Sequence, residues 1–212
     1  MPKQQVLPAF ATPIWSCVWE DSEELNAGLK RMILERAPEE ALTHRSNVGG
    51  WHSEQDLLRW QDPSVPPLVE RIKSGINGVT QATKGMEEAA TGGFFMVAWA
   101  NLLRQGGYNQ VHDHNKYAWS GVYYVDTGDE TPGDELDGRI EFIDPRVGIG
   151  WPKVPGDPFK QRTRFKPEAG RMLMFPGWLR HYVHPYKGEA PRISIAFNVA
   201  FNDPKEADTL QP

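Results

Sequence analysis

The chain has 212 residues, 39% of them hydrophobic, and a formal charge of -5, enough to bury a core as one domain with an extension. Basic and acidic residues are interspersed, which argues against a nucleic-acid or anionic-membrane surface, and no run approaches the roughly 20 apolar residues of a membrane-spanning helix. The single cysteine, Cys17, excludes an internal disulfide or a cysteine-rich metal cluster, and the amino terminus lacks a secretory pattern, so a cytoplasmic location is expected.

In chain order, residues 6 to 19 alternate around Ile14, Trp15, Val18 and Trp19 and predict an opening strand. Asp21 stands three before Glu24 as a capping arrangement, and Leu25, Leu29, Met32 and Ile33 recur at helical spacing until Pro38. The glycine-punctuated segment 46–53 reads as a loop or short strand, with His52 as a candidate lid residue. Pro66 and Pro67 open a second helix whose Leu68, Ile72, Ile76 and Val79 form one face despite Gly75 and Gly78.

The texture changes at Gly92. Short strand-like runs follow at 94–103, 108–114, 118–125, 138–143, 160–166, 171–175, 180–185 and 191–201, separated by turn clusters such as Pro155-Gly156-Asp157-Pro158. These runs predict a mainly β chain with flanking α-helices: an amino-terminal strand and helical extension over 1–91 packing on a jelly roll, or double-stranded β-helix, over 92–212. Lys160, Arg162, Arg164 and Lys166 form a basic stripe at period two, the pattern that protects a sheet edge from unwanted pairing.

Chemistry concentrates at Val111-His112-Asp113-His114-Asn115. If 108–114 is extended, His112 and His114 project to one side and Asp113 to the other, so two imidazoles can grip one metal ion. A kinked strand end would instead bring Asp113 in as the second ligand. A later segment completes the pattern: Gly170 through Gly177 as a turn and apolar strand, then His181, then Arg192-Ile193-Ser194. Arg192 and Ser194 share a strand face, and a guanidinium with a neighbouring hydroxyl suits a carboxylate. His184 competes with His181, but strand phase puts it on the opposite face.

These residues resemble the Fe(II)- and 2-oxoglutarate-dependent oxygenases, including the prolyl-hydroxylase-like branch, and over most of the chain a bacterial and phage group within that superfamily. The resemblance rests on Ser46-Asn47-x-Gly49-Gly50-Trp51-His52-Ser53, Trp99-x-Asn101, His112-x-His114, Ser120-Gly121-Val122-Tyr123-Tyr124, Phe175-Pro176, His181-x-Val183 and Arg192-Ile193-Ser194. It implies a cupin-like jelly roll, Fe(II) as cofactor, and 2-oxoglutarate and O2 as co-substrates. It also implies metal ligation by His112 and His181, and a carboxylate anchor of Arg192 and Ser194 with Tyr124 and Asn101 nearby. Position 114 departs from the family pattern, which has Asp or Glu there; His114 would make a three-histidine centre.

The substrate expected is a small molecule or a peptide, and homo-oligomer formation stays open. Two rival readings remain at this point: a cupin-like three-histidine dioxygenase that does not use 2-oxoglutarate, and a jelly-roll binding module without catalysis.

Overall fold

A computed structural model of the chain describes residues 11–37, 46–83, 93–146, 155 and 161–201. The elements are β1 (Trp15–Val18), α1 (Glu23–Arg36), β2 (Asn47–His52), a 3-10 turn (Leu57–Arg59), α2 (Val65–Ala82), β3 (Phe94–His112), β4 (Trp119–Asp126), β5 (Ile140–Ile143), β6 (Arg162–Phe165), β7 (Arg171–Pro176), β8 (His181–Val183) and β9 (Arg192–Phe201). Among the described residues no helix is long and apolar enough to cross a membrane. The predicted boundary at 91/92 lies outside the described residues, as do residues 6–10 of the predicted opening strand, Pro38, Lys160 and Gly156-Asp157-Pro158.

The strands form an antiparallel sheet in the order β1-β7-β4-β9-β3-β8-β5-β6, with β2 added to β3. The sheet curls into a double-stranded β-helix because β3 belongs to both of its layers. Phe94–Leu103 pair with β9, while Asn109 and His112 pair with Val183 and His181 of β8. The sequence predicts two strands there, split at Arg104-Gln105-Gly106-Gly107, whereas the structure has one bent strand of 19 residues. Gly106 supplies the bend at φ 81°, and its N–H donates to Tyr186 O at 2.7 Å, so the glycines turn the ladder without ending it.

Period-two alternation gives the curled sheet two different faces. Ile193, Ile195, Phe197 and Val199 of β9, with Tyr123 and Val125 of β4 and Met172 and Met174 of β7, join the helices in the main core cluster. Helix α1 contributes Leu29, Met32 and Ile33, and α2 contributes Leu68, Ile72, Ile76 and Val79, as their spacing predicts. Gly75 and Gly78 look like helix weaknesses in the sequence, yet here they admit the sheet: a Cβ on Gly75 would lie 2.8 Å from Met174 Sδ, and one on Gly78 2.7 Å from Trp15 Nε1. The cap of α1 differs from expectation. Ser22 is the N-cap, without a side-chain capping bond, and Asp21 instead pairs with Arg71 at 3.2 Å.

The alternate residues point between the layers. Arg192, Ser194 and Ala196 of β9 and Ser120, Val122 and Tyr124 of β4 line an interior cavity, floored by a smaller cluster that includes Ile140, Phe142 and Phe175. Strand β6 ends the strand order, and its Arg162 and Arg164 pair with Glu141 on β5 at 2.7 and 2.5 Å, while Lys166 pairs with Glu130 at 2.7 Å. The basic stripe therefore occupies a sheet edge.

Candidate metal centre

His112 closes β3 directly opposite His181, which opens β8, so the ladder itself brings the two rings to 4.3 Å between centroids. His114 arrives by a different route from the one strand phase predicts. The strand stops at His112, and the backbone N–H of His114 donates to Gly177 O at 2.7 Å in the β7–β8 turn. One ligand atom from each of the three histidines lies within 4.8 Å of the others, whereas Asp113 is exposed and outside this group.

Hydrogen bonding orients two of the rings. His112 Nδ1 donates to Gln110 O at 2.7 Å and His181 Nδ1 to Leu179 O at 2.8 Å, a tautomer assigned from the network that leaves each Nε2 as an acceptor, with Ser46 Oγ 3.5 Å from that of His112. Burial lowers the pKa of all three. His114 falls to about 4, with repulsion from His112 adding to burial, and His181 falls well below the usual value for the same reasons. For His112 the bond to Gln110 and the charge of Asp113 partly oppose the effect of burial. At neutral pH the group is three uncharged imidazoles, a donor set that suits iron, nickel, copper or zinc.

Arg192 lines the same cavity, which measures about 250 Å³. It is 2% exposed, its Nε has no hydrogen-bond partner, and no carboxylate among the described residues forms an ion pair with it. Its guanidinium carbon is 5.3 Å from the Tyr124 ring centre, and the unpartnered Tyr124 hydroxyl lies beside it outside hydrogen-bond geometry. Burial lowers the pKa of Arg192 and raises that of Tyr124, so the tyrosine stays a protonated donor. Ser194 registers with Asn101 on one side and Tyr124 on the other, and Asn101 registers with His52, making one cross-strand row. The structure thus gathers His112, His114, His181, Arg192, Ser194, Tyr124 and Asn101 around one cavity. An unpaired buried cation beside an unpartnered hydroxyl fits a bound carboxylate, and three convergent lone pairs fit a divalent metal.

His184 is on the opposite face of β8, where its Nε2 lies 2.8 Å from the fully buried carboxylate of Glu141. His52, the candidate lid residue, is the last residue of strand β2. It is 3% exposed, stacks on Trp99 at 5.5 Å and 19°, and lines the cavity, while Trp99 in turn meets His114 at 5.7 Å. Sequence reasoning missed the buried pair of Ser120 and Asn198, joined at 2.6 Å. Their shared inward phase on β4 and β9 was the signal available for finding them.

Residues 97–198 match a family model described as "Putative 2OG-Fe(II) oxygenase". Over this segment, just under half of its length, the chain is similar to the 2-oxoglutarate- and Fe(II)-dependent oxygenases. Solved structures of the same fold include a prolyl-4-hydroxylase from Pseudomonas putida, at 14% identity and TM-score 0.62, covering 90% of this chain and 93% of that one. A prolyl hydroxylase from Trichoplax adhaerens, in complex with a peptide fragment of hypoxia inducible factor, is 10% identical with TM-score 0.60 over 94% and 87% of the two chains. HygX from Streptomyces hygroscopicus, with nickel and 2-oxoglutarate bound, is 12% identical with TM-score 0.60 over 89% and 83%. No curated protein sequence matches the chain.

Proposed function

We propose that the protein is an Fe(II)- and 2-oxoglutarate-dependent oxygenase in which His112, His114 and His181 hold the metal. The observation that carries this reading is a single cavity lined both by three neutral, mutually close histidines and by an unpaired buried arginine. When bound there, iron and 2-oxoglutarate supply with O2 the oxidation of a substrate C–H bond, giving succinate and CO2.

The chain's own residues handle binding and orientation. Arg192 presents a planar donor fork to the far carboxylate of the keto acid, Ser194 adds a hydroxyl from the same strand face, and Tyr124 donates from the adjoining strand. Asn101, in register with Ser194, orients the same group from the other side. Leu179 and Gln110 carbonyls fix the ring orientation of two ligands, so the metal meets a preset geometry. Burial of the row excludes water and strengthens each of these charge-assisted bonds.

The test is succinate formation from 2-oxoglutarate by anaerobically iron-loaded protein, with Arg192→Ala as control. The expected result is turnover in the wild type and none above background in the variant; equal rates refute the proposal. His114 in place of a carboxylate favours one second reading, a three-histidine dioxygenase in which Arg192 binds the substrate's own carboxylate. That enzyme would consume O2 without keto acid. The substrate is a small molecule or peptide, and Trp99, His52 and Ser120 line the cavity in which it would meet the metal.

A further inference from the structure

Besides the metal cavity, Arg192 also lines a second cavity of about 190 Å³ bounded by the 127–139 loop, so the guanidinium forms part of the partition between the two. Gly138 belongs to the second cavity only, and it touches the partition from behind: a Cβ built on it would lie 3.3 Å from Arg192 Nε, 3.4 Å from Arg192 Cδ and 3.5 Å from Tyr186 Cδ2. Its φ of 59° is a left-handed conformation that favours glycine.

That loop is fastened by Tyr186. The buried Tyr186 hydroxyl donates to Ala190 O at 2.6 Å and accepts from Asp129 N–H at 2.8 Å. The Tyr186 backbone bonds to Gly106 N–H at 2.7 Å and Gly107 O at 2.9 Å, tying the clasp to the bend of β3. Asp137, one residue before Gly138, accepts from Lys187 N–H at 2.8 Å and Thr131 N–H at 3.2 Å. The fastening extends well beyond what a solvent-facing loop would require. Its inner surface is the face on which Arg192 rests.

We propose that Gly138 and Tyr186 are positioning residues that set how far Arg192 reaches toward the metal, and so select the chain length of the keto diacid the site accepts. This rests on the reading of Arg192 as the 2-oxoglutarate anchor. A methyl group at residue 138 meets Arg192 at Nε and Cδ from the loop side, so yielding by the side chain displaces it a few tenths of an ångström toward the metal cavity. The span from anchor to metal then shortens. A five-carbon keto diacid loses fit, a six-carbon one loses more, and a four-carbon one is spared.

The experiment measures binding of oxaloacetate, 2-oxoglutarate and 2-oxoadipate to the Ni(II)-loaded protein by calorimetry, together with the nickel affinity itself. In Gly138→Ala, 2-oxoglutarate should weaken about tenfold, the loss of roughly one charge-assisted contact, with oxaloacetate changed less than threefold and nickel affinity unchanged. Tyr186→Phe keeps the ring and removes both hydroxyl bonds. It should lower the preference for 2-oxoglutarate over the other two acids without introducing a left-handed alanine. Unchanged keto-acid selectivity in both variants overturns the proposal, as does a loss of nickel affinity parallel to the loss of 2-oxoglutarate. If the nickel-loaded wild type itself does not bind 2-oxoglutarate, the anchor reading fails and this inference with it.

Discussion

Replacing Arg192 with methionine should make the ligand-free protein more stable while removing its response to 2-oxoglutarate. The guanidinium is 2% exposed, its Nε is unpartnered, and among the described residues no carboxylate pairs with it. A buried unsatisfied donor costs about 1–3 kcal/mol, and an unpaired buried ion costs several kcal/mol after relaxation. Tyr124 and Tyr186 are uncharged near neutral pH, so of the groups around Arg192 only Asp137 acts on it favourably as a charge, which offsets part of the penalty through space. Methionine retains an apolar stem in the same space, so the cavity it leaves offsets only about 1 kcal/mol. The expected net gain is about 1–3 kcal/mol, with melting raised by about 2–4 °C per kcal/mol for a chain of this length. Thermal unfolding followed by circular dichroism measures it, with and without Ni(II) and 2-oxoglutarate. The wild type should gain about 2.7 kcal/mol from the keto acid at one hundred times its dissociation constant, and Arg192→Met essentially nothing beyond the effect of nickel. A variant that melts below the wild type would refute the reasoning, because the arginine would then be structurally paired.

Acid should destabilise the metal-free protein in a defined window. Unfolded histidine titrates at 6.5 and folded His114 at about 4, so the unfolded chain takes up protons first as pH falls. Stability from this group is complete above 6.5 and declines between 6.5 and about 4; urea midpoints at pH 7.5 and 5 should converge in His114→Asn. Substituting His114 or His181 with alanine should abolish stoichiometric binding of Fe(II) or Ni(II), read by elemental analysis after gel filtration. Glu141→Gln should destabilise by about 1–3 kcal/mol in urea titrations, because it breaks a buried carboxylate's pairs with arginines that are themselves half exposed. Burial on its own raises the Glu141 carboxyl, but bonds from Arg164, Arg162 and His184 outweigh it and hold it at about 2. Its contribution is therefore present above 4.5 and lost as pH falls from 4.5 toward 2. Tyr123→Phe should lose about 1–2 kcal/mol with unchanged metal binding. Its hydroxyl donates to Asn26 at 2.7 Å and accepts from Arg71 at 2.8 Å, on the sheet face away from the cavity.

Local pattern determined a good deal by itself. Helical spacing of Leu68, Ile72, Ile76 and Val79 marks the buried face of α2, and alternation along 191–201 separates the residues that meet the helices from Arg192 and Ser194. Both follow from backbone geometry that needs no partner to be known. Tertiary structure decided the rest. His114 joins His112 and His181 although β3 ends before it, because the hydrogen bond to Gly177 comes from a turn some sixty residues away. Gly106 bends a strand where the sequence reads a break, since its N–H finds Tyr186 across the sheet. Whether Arg192 would be matched by a carboxylate of this chain also depended on which strands became neighbours. In the fold Glu141 faces outward to Arg162, Arg164 and His184, and the inward arginine is left with a cavity to serve.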